Sequence, residues 1–179
     1  MSSINKIYKV TTFGESHADC VGVIIDGFPP NFIININLIQ KQLDRRRPGQ
    51  SKINTPRDEK DCVKILSGIE NNVSLGTPIG AIVNNTNTNK KDYGFLDKKT
   101  YIPRPSHADF TYLQKYGIHA SSGGGRSSAR ETVSRVIAGS LADQYLNELY
   151  NIEIVAWVSS VGDYKINKNL IDINTISRE

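Results

Sequence analysis

Hydrophobic positions along this 179-residue chain recur with two periods, and the change from one to the other marks out its elements. Period two predicts strands. Residues 8–12 form a short β-prone run, and Val21, Val23 and Ile25 alternate with other residues up to the turn Asp26-Gly27. Residues 62–66 and 79–83 predict two further strands, and Ile152, Ile154, Ala156 and Val158 a last one. Helical spacing predicts three helices. Ile39 and Leu43 set the inner face of the first, with Asn37 as its cap, Gln40 three residues on, and Pro48-Gly49 as its end. Ser106-x-x-Asp109 opens the second, and Gly117 closes it. The clearest helix runs from Ser128 to about Leu149, with Val133, Val136, Ile137, Leu141, Tyr145 and Leu149 on its repeating positions. Gly139 inside it costs about 1 kcal/mol against alanine, which hints at close helix packing. Pro29-Pro30-Asn31 and the Asn-rich residues 84–92 read as loops. Strands and helices mix without a strict βαβ rhythm, so the expected class is α+β.

The stretch Ser122-Gly123-Gly124-Gly125-Arg126-Ser127-Ser128-Ala129-Arg130-Glu131-Thr132 enters the longest helix through three glycines. Glycine lets backbone N–H groups crowd against a ligand, and the first N–H groups of a helix have no intrahelical partner. With the helix dipole they make an anion socket, beside which Arg126 and Arg130 offer forked donors. A capping box, Ser128-x-x-Glu131, accounts for two of these residues and leaves the glycines and arginines unexplained. The stretch lacks the Gly-Lys-Ser/Thr of a phosphate-binding loop. Ser128 stands where a dinucleotide fingerprint needs its third glycine.

Composition narrows the class. With 38% hydrophobic and 22% charged residues the chain has the makings of one folded domain. A net charge of +4 attracts anions in general, but no basic stripe is interleaved with aromatics, which argues against nucleic acid. Cys20 and Cys62 form no metal or disulfide pattern; each reads as a small buried hydrophobe in a reducing compartment. No apolar run reaches membrane-spanning length and the N-terminus lacks signal features, so the expectation is a cytoplasmic protein without a membrane partner. The polar ending, residues 174–179, looks like a cut rather than a finish.

Three further clusters carry chemistry. Gly14-Glu15-Ser16-His17 follows a strand, which places His17 on a loop where it can exchange a proton. Ser16 is set aside as a hydrolase nucleophile, because neighbours on an extended chain point to opposite sides and G-x-S-x-G is missing. Arg45-Arg46-Arg47, ahead of Lys52, carries more charge than a helix C-terminus needs, and an oligoanionic ligand would offset the repulsion. Arg104-Pro105-Ser106-His107-Ala108-Asp109 puts His107 in the first turn of a helix, with Ser106 as the cap, where an approaching anion would change its protonation. Scattered histidines make no metal motif. The sum is an enzyme for a multiply anionic small molecule, working by electrostatics and general acid, with a cofactor for the hard step.

Taken together, Thr11-Thr12-Phe13-Gly14-Glu15-Ser16-His17, Asp44 to Ser51, Arg104 to Tyr112, Lys115-Tyr116-Gly117 and Gly123 to Thr132 resemble the motifs of chorismate synthases, in that family's order. Ser106 before His107, and Ser121-Ser122 before the glycines, resemble the fungal and protist branch. The resemblance implies helices packed between antiparallel sheets. It implies a lyase of aromatic amino acid biosynthesis, in the shikimate pathway, that converts 5-enolpyruvylshikimate 3-phosphate to chorismate by 1,4-anti elimination of phosphate. Reduced FMN is required without net redox change, NADPH is a candidate electron source, and the full-length protein is a homotetramer. By similarity His17 protonates the leaving phosphate beside Ser16, and His107 sits by the flavin. Arg46, Lys52, Arg104 and Arg130 hold substrate anions, and Arg126, Ser127 and Ser128 meet the FMN region. Lys52 and Ala18 stand where the family often has arginine and a glycine or cysteine. Residues 1–179 resemble the N-terminal portion of a single catalytic domain. The chain alone is therefore expected to be inactive or to need its missing half; the alternative is a non-catalytic remnant that binds anions or pairs with a full-length subunit.

Overall fold

The computed structural model describes residues 2–47, 60–86, 102–118, 124–167, 169, 171 and 172. Its strands are β1 (Ser3–Ile4), β2 (Lys9–Gly14), β3 (Cys20–Asp26), β4 (Val63–Ser67), β5 (Ile69–Glu70), β6 (Val73–Ser74), β7 (Ile79–Asn84), β8 (Ser160–Val161) and β9 (Tyr164–Lys165). Five of them form an antiparallel sheet in the order β1-β2-β3-β7-β4, and β5-β6 and β8-β9 are small hairpins. Its helices are α1 (Ile36–Arg46), α2 (Asp109–Tyr116) and α3 (Thr132–Tyr150).

Alternation in β3 does what period two requires. Val21, Val23 and Ile25 are fully buried and face Val83, Ala81 and Ile79 across the β3–β7 ladder. Helices α1 and α3 cover that side with Ile39, Leu43, Val133, Ile137 and Leu141, all without exposure. Each such side chain contributes roughly 1.5–3 kcal/mol on burial. Two polar bonds pin α3 across this layer: Ser134 Oγ donates to the Gly22 carbonyl at 2.8 Å, and Tyr8 Oη to the Ala138 carbonyl at 2.7 Å. Burial pushes the Tyr8 phenol pKa above its ordinary value, so the hydroxyl stays a donor. The α+β class expected from the sequence is the class observed.

Several local expectations are corrected. The cap of α1 is Asn35, whose Oδ1 accepts from the Asn37 N–H at 3.0 Å. Asn37 is already helical, and Gln40 reaches across to the backbone before β4 instead. Pro48-Gly49 lies outside the described residues. Ser106 does not cap α2: it has a φ of +59°, Ala108 is the cap, and His107 falls in the turn before the helix. Gly117 closes α2 as expected, at a φ of +69°. The α-helix predicted from Ser128 begins at Thr132, after 3-10 turns over Gly125–Ser127 and Ala129–Glu131. Cys62 is exposed and Cys20 half-buried, so neither is a core residue.

The strand expected at 152–158 is absent: residues 151–159 hold no regular structure, and Ile154, Trp157 and Val158 are exposed. Alternation makes a strand only where another strand offers its edge, and none among the described residues does so here. Among the described residues Gly139 is likewise not a packing contact, because a Cβ there would meet none of them within 4 Å. Gly139→Ala is therefore expected to stabilise this chain by about 1 kcal/mol in urea denaturation, whereas a loss of stability would mean that something packs on that face.

Candidate anion site

The site is built where strand ends meet the entrance to α3. Cys20 at the start of β3 pairs with Asn84 at the end of β7, beside Gly14 at the end of β2. The loop between β2 and β3, residues 15–19, is held by one side chain. Asn85 Nδ2 donates to the Glu15 and Ala18 carbonyls at 2.9 and 2.7 Å, and the Asn85 N–H to the Asp19 carbonyl at 2.9 Å. Asn85 is thus a brace within what the sequence reads as an open polar loop. The Ser16 N–H donates to the Gly125 carbonyl at 3.4 Å, which ties the loop to the glycine-rich turn.

Ser16 and His17 sit in a turn, so the extended-chain argument that separates them does not hold: Ser16 Oγ and His17 Nδ1 are 2.9 Å apart. What removes Ser16 as a nucleophile is burial, since it is 1% exposed. His17 is half-buried.

Three buried carboxylates organise the cations around this loop, each spanning two of them. Asp61, with its side chain fully buried, pairs with Arg46 at 3.0 Å through one oxygen and with Arg130 through the other. Arg130 Nε also donates to Asn85 Oδ1 at 2.9 Å, so this pair is wired to the His17 loop. Asp109 accepts a fork from Arg104, Nε to Oδ2 at 2.7 Å and Nη2 to Oδ1 at 3.0 Å, and its Oδ1 lies 2.6 Å from His107 Nδ1. Arg104 Nη2 is within 3.3 Å of both His107 ring nitrogens, so the guanidinium lies against the imidazole. Glu131 takes Arg126 at 3.3 Å, Arg135 at 2.7 Å and the Thr12 hydroxyl at 2.7 Å.

These pairings change the picture drawn from sequence. Glu131 does not complete a capping box; it stands at the N-terminal end of α3 and faces Arg126 and Arg135. Ser128 Oγ does cap, accepting from the Arg130 N–H at 3.3 Å within the second 3-10 turn. Arg126 reaches inward, donating to Thr12 Oγ1 at 2.6 Å and to the Gly14 carbonyl at 3.3 Å, and so fastens the turn to β2. Ser127 Oγ donates to the Gly124 carbonyl at 2.6 Å. The three arginines at the end of α1 diverge: Arg45 bonds Gln42, Arg46 turns to Asp61, and Arg47 caps the helix through its backbone. Their mutual repulsion is met in part by Asp61, which sequence reasoning missed. Neither Asp61 nor Asn85 belongs to a chemical motif, and only their position makes them partners. Lys52 lies outside the described residues.

Gly124 and Gly125 join the two halves of the site. A Cβ at Gly124 (φ +78°) would come within 2.5 Å of Arg104 Nη2 and 2.9 Å of His107 Cε1, while Gly125 holds the Ser16 loop. Gly124→Ala is expected to cost about 1–2 kcal/mol through left-handed strain alone. It also displaces the Arg104–His107 pair, so a thermal melt is expected to show a larger loss than that strain alone accounts for.

Among the described residues no cluster of three or more His, Cys, Asp or Glu could hold a metal ion, and no helix is long and apolar enough to cross a membrane. The geometry defines an α+β protein with arginines, two histidines and buried carboxylates gathered at its strand ends. Residues 8–178 match the chorismate synthase family model. Chorismate synthases of Saccharomyces cerevisiae and Schizosaccharomyces pombe are 52% and 57% identical over 100% and 93% of this chain, covering 48% and 41% of their own lengths. One from Prochlorococcus marinus is 55% identical over 98% of the chain and 48% of its own length, so the likeness extends beyond the fungal branch. A crystal structure of chorismate synthase superposes with a TM-score of 0.66 at 28% identity, over 94% of this chain and 42% of that one. The chain belongs to the chorismate synthase family. It spans about half the length of the curated relatives it matches.

Proposed function

We propose that this protein converts 5-enolpyruvylshikimate 3-phosphate to chorismate and phosphate by 1,4-anti elimination with reduced FMN. The observation that supports this reading is a chain of contacts: the Ser16-His17 loop is tied to Gly125 and, through Asn85, to the Arg130–Asp61–Arg46 group, while Arg104 and His107 lie against Gly124, in a chain of this family. A substrate with two carboxylates and one phosphate suits such a cationic edge.

His17 gives a proton to the departing phosphate. Its Nδ1 lies 2.9 Å from the Ser16 hydroxyl, a contact that orients the ring for proton exchange. Arg46 and Arg130, with Lys52, grip the phosphate and carboxylates, and Arg104 adds a further contact. Asp109 holds His107 and Arg104 as one unit, with the Arg104 side chain 47% exposed beside a His107 side chain that is 26% exposed. This donor set fits an electron-rich anionic ring, so Arg104 and His107 are the residues that would hold the flavin edge, next to the Ser127 and Ser128 turn. Arg126 serves this site by fixing that turn. When bound, reduced FMN supplies the electron density that helps the carbon–oxygen bond break. NADPH as electron source, a cytoplasmic setting and a homotetramer complete the proposal.

The test is an anaerobic assay of the complete gene product with chemically reduced FMN, following chorismate by absorbance. Chorismate formation that needs both FMN and reductant is expected. A folded sample that binds substrate and forms no chorismate points to the non-catalytic remnant instead.

A further inference from the structure

We infer that Asp61 is a positioning residue that locks Arg46 and Arg130 into a single anion-binding pair, an inference that rests on the chorismate-forming reading above. Arg46 belongs to the last turn of α1, and Arg130 to the 3-10 turn before α3. Two guanidiniums from separate elements repel when brought together. Asp61 cancels one of the two charges and orients both groups, using a separate oxygen for each.

Asp61 is held for this task. Its side chain has no exposure, so its charge depends on both arginines for compensation. Its φ of +48° is a left-handed conformation that aspartate tolerates better than most residues. Gln40 fixes the chain around it: Nε2 donates to the Asp61 carbonyl at 3.4 Å, and Oε1 accepts from the Val63 N–H at 3.1 Å. Arg130 then carries the position on to Asn85, and Asn85 to the loop bearing His17. A movement of Asp61 is thereby felt at the anion grip before it reaches the proton donor.

In Asp61→Asn the shape is kept, but the amide nitrogen faces one guanidinium as a donor and releases it. With the complete gene product and reduced FMN, KM for the phosphorylated substrate is expected to rise at least about tenfold while kcat stays within about threefold. FMN affinity, followed by flavin fluorescence, is expected to be unchanged. A merely structural role would lower the melting temperature and the active fraction and leave KM alone; that result overturns the inference. Should Asp61→Asn fail to fold, Asp61→Glu decides by the same split between KM and kcat, since it keeps the charge and shifts the oxygens by one methylene. Inorganic phosphate separates this idea from the enzyme assignment. If the wild type forms no chorismate, the assignment falls by itself, and a phosphate-induced rise in melting temperature that Asp61→Asn or Asp61→Glu loses still supports the pair. An equal rise in wild type and variant, or none in the wild type, overturns it.

Discussion

Replacing Arg130 by alanine is expected to lower the unfolding free energy of this chain by about 3–5 kcal/mol, because it leaves a buried carboxylate without its nearest cation. Arg130 is 4% exposed and the Asp61 side chain is fully buried, so water does not readily take over the lost bond. Arg46 remains on the second Asp61 oxygen at 3.0 Å and limits the loss. Asn85 also loses the donor on its Oδ1, and the residue 15–19 loop loses part of its brace. Urea denaturation gives the magnitude. Arg130→Met, which restores some buried volume without charge, is expected to recover little, since the Asp61 oxygen that Arg130 served stays buried without that partner. Substituting Asp61 together with Arg130 removes both members of the pair and is expected to cost less than the two single losses added. A cost for Arg130→Ala of the size seen at exposed pairs, about 1 kcal/mol or less, would show that water enters this corner.

His17→Ala is expected to reduce turnover by about 10²- to 10⁴-fold, the range for losing a positioned proton donor. The effect on folding is expected to be small. His17 is only half-buried, and the loop is anchored through backbone carbonyls by Asn85, which the substitution leaves in place. The buried Ser16 hydroxyl loses its partner on the imidazole, at about 1 kcal/mol or a little more. Substrate affinity is expected to persist, since the arginines are untouched. The measurement is kcat and KM for the phosphorylated substrate with reduced FMN, beside a thermal melt. An unchanged kcat in a folded sample would remove His17 from the chemistry.

How much of this was legible in the sequence differs between elements. Val21, Val23 and Ile25 announced β3 because a strand with one buried face must alternate, and that alternation survives whatever the neighbours are. Leu43 and Leu141 were equally plain. Ile152 to Val158 show the same alternation and no strand forms, because pairing needs a second edge that a local pattern does not contain. The start of α3 was misplaced by four residues for a related reason. Glycine and serine signal a break, but whether the next turn closes as 3-10 or α depends on where Arg126, Arg130 and Glu131 find partners, and Thr12, Asp61 and Asn85 are distant in sequence.

The amino-acid sequence alone determined the α+β class, the cationic character of the site and, through ordered motifs, its kinship, since these depend on residue type and local spacing. Tertiary structure alone decided which cation meets which carboxylate. Arg46 and Arg130 are neighbours only because the sheet and two helices bring the end of α1 against the entrance of α3 with Asp61 buried between them, and a buried ion pair is specified by three-dimensional proximity rather than by spacing along the chain.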